Sequence, residues 1–226
     1  MIPGLALILL VLVLNAAFTV LSVLFGYDDV LRLPPGEVMA RFHAAGPALV
    51  VAWIAFAAGA LAFAWIGPMA ERRAGLSGQG WLAPAAALAM AAGLLRWVVA
   101  VPVLAAAHQA PGATEVTQVA MAAAYIALHQ FAGAGVGEVL GQVLLCAWTL
   151  RLSLALAPRQ PWLAAFGLLL LPLWLLGLSE PLAAGLPALP VVEAAPIAFM
   201  AWEAWLVAIG LAWIVAALRP ASPATA

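Results

Sequence analysis

Six runs of apolar residues, each bounded by proline, glycine or charge, constrain this chain more than any other feature. They are Ile2 to Phe25, Pro47 to Met69, Leu82 to Ala107, Val116 to Ala157, Trp162 to Leu178 and Ala195 to Leu218. About 20 such residues in a helix, rising roughly 1.5 Å each, cover the roughly 30 Å hydrocarbon core of a bilayer. The chain has 226 residues, 68% of them hydrophobic and 8% charged, with a mean hydropathy of +1.16. Ordinary globular chains carry about 25% charged residues, so a water-soluble domain is excluded. The expected fold class is all-α: a polytopic membrane helix bundle of six transmembrane helices, with the lipid bilayer as its partner.

The connections are too short to hold a second globular unit, so residues 1–219 read as a single six-helix membrane domain. The Pro-Ala-Ser tail, 220–226, reads as disordered. The first run lacks a charged n-region and a small-residue cleavage signal, so it is expected to be retained as a helix. The fourth run covers about 42 residues, or roughly 60 Å as a helix. It is expected to begin as an outer amphipathic or interfacial helix near Thr117 to Gln130 and to bend at the glycines beyond. Short loops rich in arginine stay cytoplasmic. Arg72, Arg73, Arg151, Arg159 and Arg219 fall on one side, against Arg32 and Arg41 on the other. Both termini are therefore expected in the cytoplasm, in agreement with an even number of spans.

Composition narrows the chemistry further. All 8 basic residues are arginine, balanced by 9 acidic ones. That leaves no basic surface for nucleic acid and no lysine for a Schiff base with retinal or any other carbonyl. Cys146 stands alone, so no internal disulfide forms. Gly133 to Glu138 superficially suggests a phosphate loop, yet it lacks the third glycine spacing, contains no lysine and follows no strand. No Ser-His-Asp, Cys-His or HExxH grouping is apparent. No cofactor is predicted.

Three charges are placed where a bilayer makes them costly, between about 2.5 and 17 kcal/mol each depending on the reference. Counted from the arginine-rich side at roughly 1.5 Å per residue, Arg96, Glu138 and Glu203 reach a similar depth. A salt bridge from Arg96 to one or both carboxylates is the expected arrangement. Two glutamates against one arginine leave a negative charge to be met by a proton, a bound cation or a cationic ligand. Gln142 lies one turn from Glu138 on the same helix face and extends this stripe. Trp97 and Trp202, with Trp205, flank the charges and either stack on the guanidinium, line an apolar pocket or pack the core. Trp81 and Trp162, at segment ends, read as interfacial belt.

Gly133, Gly137 and Gly141 form a GxxxGxxxG series, which allows close helix packing. His43, His108 and His129 fall toward the outer ends of their helices. An outer-face metal or haem site is conceivable there, although no two are spaced i, i+3 or i, i+4, and solvated interfacial histidines are the plainer reading. Pro102 and Pro172 are expected to interrupt the third and fifth helices.

The order of these parts resembles a bacterial multi-pass membrane family known as domain of unknown function 4386. The resemblance rests on Leu94-Leu95-Arg96-Trp97 in the third helix, Pro158-Arg159 before Trp162 and Gly167 in the fifth, and Pro196-Ile197-Ala198 before Glu203 in the last. That family carries no assigned activity. The resemblance therefore implies an architecture and a place in the bacterial inner membrane, and no catalytic residues. Together these features predict a non-enzymatic inner-membrane protein whose Arg96, Glu138 and Glu203 centre binds a small or amphipathic ligand or an ion, in transport or sensing. The alternatives are an accessory or scaffold subunit, with a membrane-protein partner or a second copy of itself, and a haem- or metal-binding oxidoreductase component using His43, His108 and His129.

Overall fold

A computed structural model describes residues 1–27, 29–78 and 80–219; the tail read as disordered lies outside the described residues. All regular structure among these residues is helical. There are α1 (Ile2–Phe25), α2 (Pro35–Arg73), α3 (Leu82–Val99), α4 (Val101–His108) and α5 (Glu115–Leu128). A π-helical segment (His129–Leu140) leads to α6 (Gly141–Leu156), α7 (Pro161–Gly177), α8 (Ser179–Ala183) and α9 (Ala195–Leu218). With α3–α4, α5–α6 and α7–α8 each running as one unit, six helices are long and apolar enough to cross a membrane.

Local chemistry sets the boundaries. Proline, whose missing N–H costs nothing in a first turn, opens α1, α2, α4, α7 and α9. Gly26 closes α1 in the left-handed conformation (φ 72°, ψ 31°), its N–H donating to the Ser22 carbonyl. The Thr114 hydroxyl caps α5 by accepting from the Thr117 N–H at 3.2 Å.

Two boundaries differ from the sequence reading. The stretch between the first two apolar runs, Gly26 to Gly46, is helical from Pro35 onward, and α2 breaks only at Gly46 (φ 65°, ψ −158°) before Pro47. The extra turns form because Val38, Met39 and Phe42 share a face that is buried against Trp53 and Trp97. Pro172 does not interrupt α7, which runs through it to Gly177, whereas α3 does stop at Ala100 just ahead of Pro102.

Two apolar clusters stack along the helix axes. One, toward the end holding both termini, gathers Leu7, Leu10, Phe63, Trp148, Trp202 and Trp205. The other, toward the far end, gathers Phe25, Val30, Phe42, Trp53, Trp97 and Tyr125. Helices α1 and α9 are antiparallel neighbours, with Gly4 seated on Gly210. Around the outside, large apolar side chains such as Leu9, Val23, Val116, Phe131 and Leu169 are exposed. The polar residues singled out in the sequence lie at the seam between the two clusters, where Phe56 touches both.

Candidate functional site

Arg96 reaches the seam from α3. Its side chain is buried, with 6% exposure. Helix α3 approaches the π-segment closely because glycines face it in sequence. A Cβ at Gly93 would stand 2.6 Å from Gly137 Cα, one at Gly141 would stand 2.8 Å from Met90 Cγ, and one at Gly133 would stand 2.5 Å from Arg96 Cζ. The Gly133, Gly137, Gly141 ladder is thus a seat for α3, and its first rung is where the guanidinium lies.

The expected salt bridge is absent at contact distance: among the described residues no ion pair includes Arg96. Its Nη1 donates instead to the Gly93 carbonyl and its Nη2 lies 3.4 Å from His129 Nδ1, while Cζ sits 5.1 Å from the Trp97 ring centroid. Glu138 remains within electrostatic reach of the guanidinium. Glu203 belongs to a different neighbourhood, because α9 packs on α1 and α7. There its Oε2 accepts from Asn15 Nδ2 at 2.9 Å. The charges therefore line a common space without forming one cluster.

That space comprises two adjoining cavities. The smaller, about 120 Å³, is bounded by Arg96, Gly93, Gly133, Gly137, Phe63 and Trp202. The larger, about 400 Å³, is bounded by Asn15, Phe18, His129, Glu203, Arg32 and Glu180. Leu14, Tyr27, Phe56, Glu138, Gln142 and Phe199 line both. Gln142 is 7% exposed and its Oε1 accepts no hydrogen bond; Arg96 Nε likewise donates none. Leaving a buried polar atom unmatched costs about 1–3 kcal/mol, and the indole nitrogens of Trp53, Trp97, Trp148 and Trp174 and the Tyr125 hydroxyl, away from the cavities, share this condition.

At the far end Arg32 forms a bridge over the larger cavity. Its guanidinium contacts Glu180 at 2.9 Å, Asp29 at 3.5 Å and Glu193 at 3.8 Å, joining the α1–α2 turn to α8 and the segment before α9.

The remaining residues noted in the sequence fall as follows. Trp97 does not reach the cavities; it stacks on Trp53 at 4.9 Å and 6° and on Phe42 at 5.8 Å. Trp202 lines the smaller cavity and donates to Thr149 Oγ1 at 3.1 Å, while Trp205 donates to the Leu163 carbonyl. The histidines stay apart. His43 is exposed on α2, and His108 accompanies Gln109 and packs near Gly36. His129 departs from the solvated reading, being half-buried between Arg96 and the face of Tyr125. Among the described residues no three His, Cys, Asp or Glu side chains converge as metal ligands.

Asn15 escaped the sequence reading although it is the lone amide in the first apolar run. So did Glu71, buried at 3% exposure with its Oε1 3.3 Å from Arg151 Nε; beside Arg72 and Arg73 it resembled an ordinary interfacial charge. No family model, curated protein or solved structure matches this chain.

Proposed function

We propose that this chain is a non-enzymatic inner-membrane protein of bacteria that binds a small amphipathic molecule in the double cavity, as part of transport or sensing. The observation that carries the reading is the double cavity itself, about 120 and 400 Å³, walled at bilayer depth by Asn15, Arg96, Glu138 and Glu203. Cytoplasmic termini are supported by the arginines at 72, 73, 151, 159 and 219 on the terminal end. Kinship with domain of unknown function 4386 is part of the same proposal.

Native mass spectrometry of the protein, extracted gently from its own membrane, tests the reading. The expected result is a retained small molecule that is lost in Phe199→Trp, which fills the shared wall. A bare polypeptide with a stoichiometric protein partner, unchanged by Phe199→Trp, overturns it in favour of a scaffold subunit.

A further inference from the structure

The larger cavity has a polarity of its own. Glu203 forms no ion pair among the described residues, and its hydrogen-bond donor is a neutral amide, Asn15. Both amide hydrogens of Asn15 are committed, to Glu203 Oε2 and to the Val11 carbonyl, each at 2.9 Å. What Asn15 offers the cavity is thus its carbonyl oxygen. Gln142 shares this wall, with its Oε1 sealed away from the space. Of the charged side chains on this wall, Glu138 lies within electrostatic reach of Arg96, Arg32 is held by Glu180 and its neighbours at the mouth, and Glu203 sits beyond that bridge. The wall therefore offers the Asn15 carbonyl and, at Glu203, a carboxylate in no ion pair among the described residues. Beside them stand the rings of Phe18, Tyr27, Phe56 and Phe199.

We propose that the larger cavity takes an organic ammonium ion with an apolar body, its N–H groups donating to Glu203 and the Asn15 carbonyl and its body lying among the aromatic rings. Coulomb attraction to Glu203 supplies charge selection, the Asn15 amide oxygen supplies a directed acceptor, and ring faces favour both a cation and a hydrocarbon. A bare metal ion suits the site poorly, since hard cations need several converging oxygen ligands and no such convergence of acidic groups exists among the described residues. At about 400 Å³ the space matches a molecule of ten or more heavy atoms. The inference rests on the cavity reading above and adds the class of occupant.

The test is isothermal titration of the full chain in lipid nanodiscs, at neutral pH, with 4-phenylbutylamine, 4-phenylbutan-1-ol and 4-phenylbutyrate. The amine is expected to bind saturably and at least tenfold more tightly than the other two. Glu203→Gln keeps an oxygen for Asn15 while removing the charge, and is expected to weaken the amine at least tenfold. Glu115→Gln, on the exposed start of α5, is expected to leave it within twofold. Preference for the carboxylate would overturn the ammonium assignment while leaving the cavity reading intact, with Arg96 as the anchor. Equal binding of all three, unaffected by Glu203→Gln, or binding of none, also overturns it. A molecule retained in native mass spectrometry alongside a negative titration separates failure of the assignment from failure of the cavity reading.

Discussion

At the scale of single residues, two glycines restrict substitution for opposite physical reasons. Gly133 is restricted by space, because a Cβ there would stand 2.5 Å from Arg96 Cζ and 2.7 Å from its Nη2. Gly46 is restricted by conformation: nothing lies within 4 Å of its would-be Cβ, yet φ of 65° with ψ of −158° is a region that side chains avoid. Gly133→Ala is expected to destabilise by about 1–3 kcal/mol, the usual cost of overpacking, despite the gain of up to about 1 kcal/mol from alanine's helix propensity. Gly135→Ala, on an exposed position of the same segment and meeting only its own Gln130 carbonyl at 3.3 Å, is expected to be close to neutral. Thermal unfolding of both variants in one detergent makes the comparison; equal midpoints would show that Arg96 is not wedged against the glycine. The buried Glu71 invites a second comparison. With Arg151 Nε 3.3 Å from its carboxylate and Arg151 itself partly exposed, Glu71→Ala is expected to cost about 1–3 kcal/mol, below the figure of about 3–5 for a fully buried pair. The same unfolding assay reads it, and Glu115→Ala, exposed and outside any ion pair described here, is the reference within about 0.5 kcal/mol.

Elements show where sequence is informative and where it is silent. The first and last helices fall where hydropathy places them, at Ile2–Phe25 and Ala195–Leu218, because nothing but length and apolar composition decides them. The extended fourth run, expected to begin as an interfacial helix and bend at its glycines, is helical from Glu115 to Leu156 with a π segment over those glycines. Its π geometry between His129 and Leu140 has no compositional signature, since the same residues satisfy i→i+4 or i→i+5 bonding and tertiary packing makes the choice. The outer part of α2 was illegible for another reason: Glu37, Arg41 and His43 lower its hydropathy, while the face that buries Val38 and Phe42 needs the partner helix to become visible. Polar partners follow the same logic. Depth along each helix puts Arg96, Glu138 and Glu203 at a similar level but does not show that Arg96 and Glu203 line separate cavities that share Glu138, and the Asn15–Glu203 bond joins residues 188 apart and requires knowing that α1 and α9 are neighbours. The break at Gly46 also carries a prediction. Gly46→Ala is expected to cost about 1–3 kcal/mol, a penalty paid in backbone conformation alone. Spin labels at exposed His43 and Ile54 should report a changed separation if α2 straightens to relieve it; an unchanged distance and midpoint would remove the kink from the account.

Over the whole molecule, the two apolar clusters act as plates and the polar seam as the gap between them, closed at the terminal end by Trp148, Trp202 and Phe63 and at the far end by Arg32. The far-end closure is ionic and the other is aromatic, so they differ in strength under changing conditions. The Arg32 bridge is about one-third exposed, and exposed ion pairs contribute up to about 1 kcal/mol and weaken as salt screens them. Access to the larger cavity should therefore be controlled from the Arg32 side and respond to ionic strength. Ala134, buried at 6% exposure on that cavity's wall, is a suitable reporter: with Cys146→Ser removing the native thiol, Ala134→Cys can be followed by its rate of modification with a small water-soluble methanethiosulfonate. Arg32→Gln is expected to raise that rate several-fold, and about 0.5 M salt should raise it in the parent while leaving Arg32→Gln nearly unchanged. Salt dependence that survives Arg32→Gln would locate the controlling charges elsewhere. A rate insensitive to both changes would mean that ligand enters sideways between α1 and α9, where Asn15 and Glu203 form the remaining boundary of the cavity.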